Sequence, residues 1–106
     1  MKAIRVAKPG GLDKLTLVDI DAPGTPGPGE IKVRLKASSL NFHDFGVVSG
    51  NMPTEDGRIP MSDGAGVVEA VGDGVTAFAT GDHVVSVFFP QWQDGPPPVA
   101  DFSGTP

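Results

Sequence analysis

From Glu30 to Ala37 the chain alternates charged and apolar residues without a break, Glu-Ile-Lys-Val-Arg-Leu-Lys-Ala. A period of two is that of an extended backbone, so Ile31, Val33, Leu35 and Ala37 share one face, and a half-buried strand is predicted over 30–37. Residues 2–7 and 14–20 predict two further strands, with a turn at Pro9-Gly10-Gly11 between them. Later, residues 66–71 and 83–89 are β-branched or aromatic runs, bounded by Gly72-Asp73-Gly74 and Thr80-Gly81-Asp82, and are also predicted to be strands. Between Ala22 and Gly29 three prolines withhold amide protons and the glycines interrupt pairing, which makes that stretch a loop.

One short helix interrupts this pattern. Asn41 is a good N-cap, Asp44 falls in the first turn where the helix dipole favours a negative charge, and Gly50 is a natural stop. Residues 51–59 are polar and loop-like, and residues 91–106 are Pro-rich and predicted to be irregular. Short strands, tight turns and one helix predict a mainly β fold, a partly open antiparallel barrel. No strand–helix–strand alternation is present, so no Rossmann unit is expected.

A length of 106 residues allows one domain. The absence of cysteine excludes disulfides and thiolate metal sites and fits a cytoplasmic protein. No apolar run has the length of a signal peptide or a membrane span, so a soluble protein is expected. The net charge of −5 is unevenly spread: all eight basic residues precede position 59, and the rest of the chain has six acids and no Lys or Arg. There is no basic stripe for nucleic acid. The second half also has no cationic group to grip a dinucleotide phosphate.

Gly64-Ala65-Gly66-Val67-Val68-Glu69 does not qualify as a phosphate cradle. Its third glycine is replaced by Glu69, and strand formers follow where a helix should start. Glycines there suit a close approach of strands or ligand. Asn41, His43 and Asp44 form the most suggestive polar group. Read from chemistry alone, they are a helix cap, an exposed imidazole and a dipole partner. His83 reads as a surface residue in a turn, Trp92 as loop packing, and Phe88 equally as a core aromatic or a pocket wall.

Two motifs together tilt this reading: Ser39-Leu40-Asn41-Phe42-His43-Asp44, and Pro60-Met61-Ser62-Asp63-Gly64-Ala65-Gly66-Val67-Val68-Glu69-Ala70-Val71-Gly72. In this order, and with the turn at Gly81-Asp82-His83-Val84, they resemble the medium-chain dehydrogenase/reductase superfamily, in its zinc-independent quinone-oxidoreductase-like branch. The resemblance implies that residues 1–106 are the GroES-like N-terminal part of an alcohol dehydrogenase-like enzyme. The Rossmann domain would be absent and the isolated chain inactive, without affinity for NADPH. It implies an oxidoreductase that passes hydride between NADP or NAD and small quinones, enones or related carbonyls or alcohols, dimeric as a whole enzyme.

By the same resemblance Asn41 stands where zinc-dependent members have a cysteine ligand, His43 at the position of a proton relay, and Asp44 at the matching aspartate. These three are the expected catalytic residues. Phe42, Ser62 and Phe88 are expected at the substrate, and Asn41 and Phe42 at the cofactor. Ser62 and Asp63 replace a His-Glu pair, so the histidine ligand is also missing. The four-cysteine lobe of a second zinc would fall on Trp92, Gly95, Pro98 and Pro106, so no metal is expected. An amide cannot replace a thiolate, but it can hydrogen-bond a carbonyl or a nicotinamide. An imidazole can supply a proton near neutral pH. A second class stays open: a co-chaperonin or small β-barrel binding module, whose glycine pattern Gly66–Gly72 and Gly81-Asp82 echoes, although such a cap has no use for the Asn41–Asp44 helix start.

Overall fold

A computed structural model describes residues 1–98. Strand β1 (Lys2–Arg5) leads through a 3-10 turn (Leu12–Lys14) to β2 (Thr16–Asp19), and the two pair antiparallel with Lys2 opposite Asp19 and Arg5 opposite Thr16. The alternating segment forms β3 (Ile31–Ala37), followed by helix α1 (Phe42–Ser49), β4 (Ala65–Val71) and β5 (His83–Val85). These three strands make a second antiparallel sheet in the order β3-β4-β5. Among the described residues no strand pairing joins the two sheets, so the architecture is mainly β with one short helix, and the barrel is open.

Three expected strands are shorter than predicted. β1 stops at Arg5 because Val6 turns inward: its N–H donates to Arg58 O and its carbonyl accepts from Gly57, both at 2.9 Å. β2 begins two residues late because the Lys14 N–H closes the preceding turn onto Gly11 O at 2.9 Å. β5 ends at Val85 instead of Phe89. Ser86 still bonds the Gly64 backbone on both sides, but β4 starts at Ala65, and beyond that point the ladder has no partner. The chain then enters an aromatic row, in which Phe88 meets Phe89 at 4.6 Å and Phe89 meets Trp92 at 5.9 Å. The Trp92 indole N–H donates to Gly95 O at 2.9 Å, as loop packing requires. His83 is exposed. Of the irregular segment predicted over 91–106, residues 99–106 lie outside the described residues, Pro106 included.

Two glycines carry specific geometry. Gly50 ends α1 with φ 86°, donating to Val47 O at 3.3 Å, the left-handed stop that glycine adopts without steric cost. Gly66 lets β3 pass close: a Cβ there would lie 2.2 Å from the Arg34 carbonyl oxygen. The close approach expected in this segment is thus between strands at Gly66.

The core is small, made of Val6, Val47, Val48 and Val68. Val47 and Val48 are adjacent in α1, and Val68 sits at the middle of β4, so helix and sheet each bury one apolar stripe. The apolar face of β3 departs from expectation along its length. Ile31 and Val33 are half-buried as predicted, whereas Leu35 is 68% exposed, since no described residue covers the end of the strand nearest α1. The opposite face carries the Arg34–Glu69 ion pair across β3 and β4.

Candidate functional site

The connection from β3 to α1 brings three donors of neighbouring sequence, Ser38, Ser39 and Asn41, against one carboxylate. Asp63 accepts the Ser39 N–H at 2.8 Å, the Ser39 hydroxyl, the Ser38 hydroxyl at 3.3 Å and the Asn41 side-chain amide at 3.0 Å. These bonds favour the ionised form, the Ser39 backbone bond most, then the Ser39 hydroxyl and the Asn41 amide; partial burial opposes them. The net result lowers the Asp63 carboxyl to about 2.

Asn41 is the N-cap of α1, and its own N–H donates to Asp44 Oδ2 at 3.0 Å, the returning half of a capping box. That bond satisfies Asp44, which is buried. The second proton of the Asn41 amide goes to Ser62 Oγ, also at 3.0 Å. Ser62 is only 3% exposed. The residue before it, Met61, holds φ at 92°, a left-handed conformation rare for any residue with a Cβ and found disproportionately at ligand sites. It turns the chain sharply between Pro60 and Ser62.

Two cavities flank this cluster. One, of about 420 Å³, lies on the apolar face of the three-stranded sheet and reaches Ser62, Asp63 and Met61 between Leu35 and Val84. The other, of about 560 Å³, is walled by Leu12, Leu40, Phe45, Val48 and Ile59, with Asn41 and Asp44 as its polar edge and Met61 again on its border.

His43 and Phe88 form a second pairing. The Phe88 ring meets the imidazole edge-on at 5.2 Å and is half-buried. His43 Nδ1 lies 4.0 Å from Asp44 Oδ1, too far for a hydrogen bond, and is buried with no partner among the described residues. An orphaned ring nitrogen of this kind costs about 1–3 kcal/mol, unless a bound group pairs with it.

The fold thus joins Asn41, Asp44 and Ser62 directly, and sets His43 against Phe88. It does not bring in Phe42, which is 88% exposed, meets the Phe45 ring at 6.3 Å, and lines neither of these cavities. Sequence reasoning left out the part played by Ser38 and Ser39 and the central place of Asp63. The available signal was a pair of hydroxyl residues directly after a strand and ahead of an N-cap, positions where Ser commonly bonds backbone or carboxylate. Among the described residues no group of three or more His, Cys, Asp or Glu could hold a metal ion.

The sequence profile of the alcohol dehydrogenase GroES-like domain matches residues 27–104. A mycocerosic acid synthase-like polyketide synthase of Mycolicibacterium smegmatis is 50% identical over 84 residues, which is 77% of this chain and 4% of that protein. A cobalt- and zinc-bound thermostable alcohol dehydrogenase from Pyrobaculum aerophilum superposes with a TM-score of 0.72 at 42% identity, over 80% of this chain and 26% of the other. An Escherichia coli quinone oxidoreductase complexed with NADPH gives 0.70 at 35% identity, over 80% and 26%. The chain spans about a quarter of the length of these two solved enzymes. With the profile covering the sheet, the helix and the Asn41–Ser62–Asp63 cluster, the chain belongs to the alcohol dehydrogenase GroES-like domain family.

Proposed function

We propose that this chain is the substrate-side domain of a zinc-independent, NAD(P)H-dependent oxidoreductase that reduces quinones, enones or related carbonyls by hydride transfer. The observation that carries this reading is the direct hydrogen bond between Asn41 and Ser62. These residues stand at two positions where zinc-dependent relatives supply a cysteine and a histidine. An amide nitrogen has no lone pair for a metal, and a hydroxyl that accepts its proton is a poor ligand. Polarisation of the carbonyl then falls to hydrogen bonds and to the alignment of the reactants.

The described residues suit one end of a nicotinamide cofactor. The unpaired Nδ1 of His43 and the Phe88 ring packed against it offer a place for a flat ring with an amide. The phosphates find no such place, since residues 59–106 contain no Lys or Arg and Asp44 already occupies the start of α1. When bound, the reduced cofactor supplies a hydride. His43 holds a proton for the reduced oxygen, Asp44 fixes the helix start that carries His43, and the apolar walls of the cavities receive the apolar body of the substrate. Phe42, exposed on α1, is kept as a contact to cofactor or substrate contributed at the surface. In the same reading the protein is cytoplasmic and the whole enzyme is a homodimer.

The test is NADPH oxidation by the full natural protein with a benzoquinone, an enone and a simple ketone, before and after dialysis against a strong zinc chelator. Activity with at least one class, unchanged by the chelator, is expected. Loss of activity on chelation, restored by zinc, would overturn the metal-free reading. Inactivity with all three would overturn the reaction. Replacing His43 with Gln is expected to lower carbonyl turnover by about 10²-fold, within the range for a general acid; an unchanged rate removes it from the mechanism.

A further inference from the structure

Both protons of the Asn41 side-chain amide are engaged, one by Ser62 Oγ and one by Asp63 Oδ2, each at 3.0 Å. The amide cannot be turned over, because its oxygen would then face the Asp63 carboxylate, setting acceptor against acceptor. An amide held this way has no N–H left for a substrate oxygen. Ser62 is in the opposite position. Its oxygen accepts from Asn41, which leaves its own O–H to donate, and the side chain borders the cavity on the sheet face while being almost wholly removed from solvent. A hydroxyl fixed by an accepted bond on one side and held in a buried side chain is a preorganised donor on the other.

Asp63 is anchored independently of any substrate. The Ser38 hydroxyl donates to its carbonyl oxygen at 2.9 Å, and the Ser39 N–H to its carboxylate at 2.8 Å. Asp63 therefore fixes Asn41, and Asn41 fixes Ser62. The left-handed Met61 next door sets the backbone direction at Ser62, which borders the cavity.

Resting on the oxidoreductase reading above, we infer that Ser62 is the catalytic hydrogen-bond donor to the substrate carbonyl oxygen, and that Asp63 is a positioning residue acting on it through Asn41. As hydride adds to carbon, the carbonyl π pair moves onto oxygen, and the Ser62 O–H bonds to that growing negative charge. Ser62 itself breaks no bond; the proton that completes the alcohol or hydroquinone arrives from another acid. The substrate class this favours is an unhindered carbonyl on an apolar body, since the cavity around Ser62 is lined by Leu35, Phe78, Val84 and Val85.

The experiment uses the full natural protein with the carbonyl substrate on which it is most active. Ser62→Ala is expected to lower kcat by about 10²-fold, the usual loss of one oxyanion donor, with KM little changed. Ser62→Thr, which keeps the hydroxyl, should stay within about tenfold of the parent. Ser62→Cys preserves volume, with a much weaker donor, and should fall with Ala; this arm decides the matter if the Ala variant does not fold. Asp63→Asn should also lower kcat, and the double variant with Ser62→Ala should be no slower than Ser62→Ala alone, because both act through one bond. A merely structural Asp63 would instead give additive losses and overturn its positioning role. Parent-like kcat in the Ala and Cys variants would overturn the Ser62 assignment while leaving the oxidoreductase reading intact. A parent protein inactive with every carbonyl tested would remove the reading on which it rests.

Discussion

Asp63 joins residues separated by more than twenty positions in sequence, and its acidity makes that role measurable. Its native carboxyl lies at about 2, below the ordinary 3.8. In the window between these values the unfolded chain binds a proton that the folded chain does not, so stability rises with pH there. The contribution of Asp63 is complete above about pH 4 and is lost as pH falls through about 2. Acid unfolding followed by circular dichroism should show a shallower slope between pH 4 and 2 for Asp63→Asn than for the parent; identical slopes would mean the carboxylate is not held as described. That Asn41 and Ser62 belong together was legible in their types, their spacing and the glycines around them, which are local facts. The network was not. The bonds from Ser38, Ser39 and Asn41 span 22 to 25 positions, and no period or propensity encodes which hydroxyl meets which carboxylate. Phe42 lies between these residues in sequence, and its ring faces outward, which sequence position alone does not reveal.

Strand β3 was readable almost to the residue, since strict alternation has only one structural solution. β5 was not, because a run of β-branched and aromatic residues marks capacity for a strand, whereas a strand also needs a partner, and β4 begins at Ala65. The same sheet separates two glycines that look alike in sequence. At Gly66 a methyl group would meet the Arg34 carbonyl, which is backbone and cannot move without parting β3 from β4. At Gly64 it would meet the end of the Leu35 side chain at 3.0 Å, which can rotate away. Thermal denaturation should therefore show Gly66→Ala destabilised by about 2–3 kcal/mol, as overpacked sites are, and Gly64→Ala by well under half of that. Equal losses would show that the strands do not approach so closely.

The molecule as a whole covers little of its apolar surface. The radius of gyration is 15.3 Å, against about 13 Å for a compact domain of 100 residues. Leu17, Leu35, Val85 and Val87 are each about two-thirds exposed or more. Openness at this scale could be anticipated from the motifs, yet its location could not, because a strand pattern says that a face is apolar and leaves open whether anything packs on it. A surface of this kind binds hydrophobic dyes and associates with itself. The 106-residue chain should enhance anilinonaphthalene sulfonate fluorescence and show concentration-dependent sedimentation, both reduced in Leu35→Lys. A dye-silent, monodisperse monomer across the concentration range would mean that this face is covered in solution.

Met61 borders both cavities, so the two chambers share one partition, and that partition is a thioether chain. Such a chain swings between rotamers at little cost. Whatever room it yields on the sheet side it takes from the helix side, and the peptide just beyond it carries Ser62. On the proposed reading, bulk admitted to one chamber would be felt at the hydroxyl beside the other, and girth would count alongside polarity in the choice of substrate.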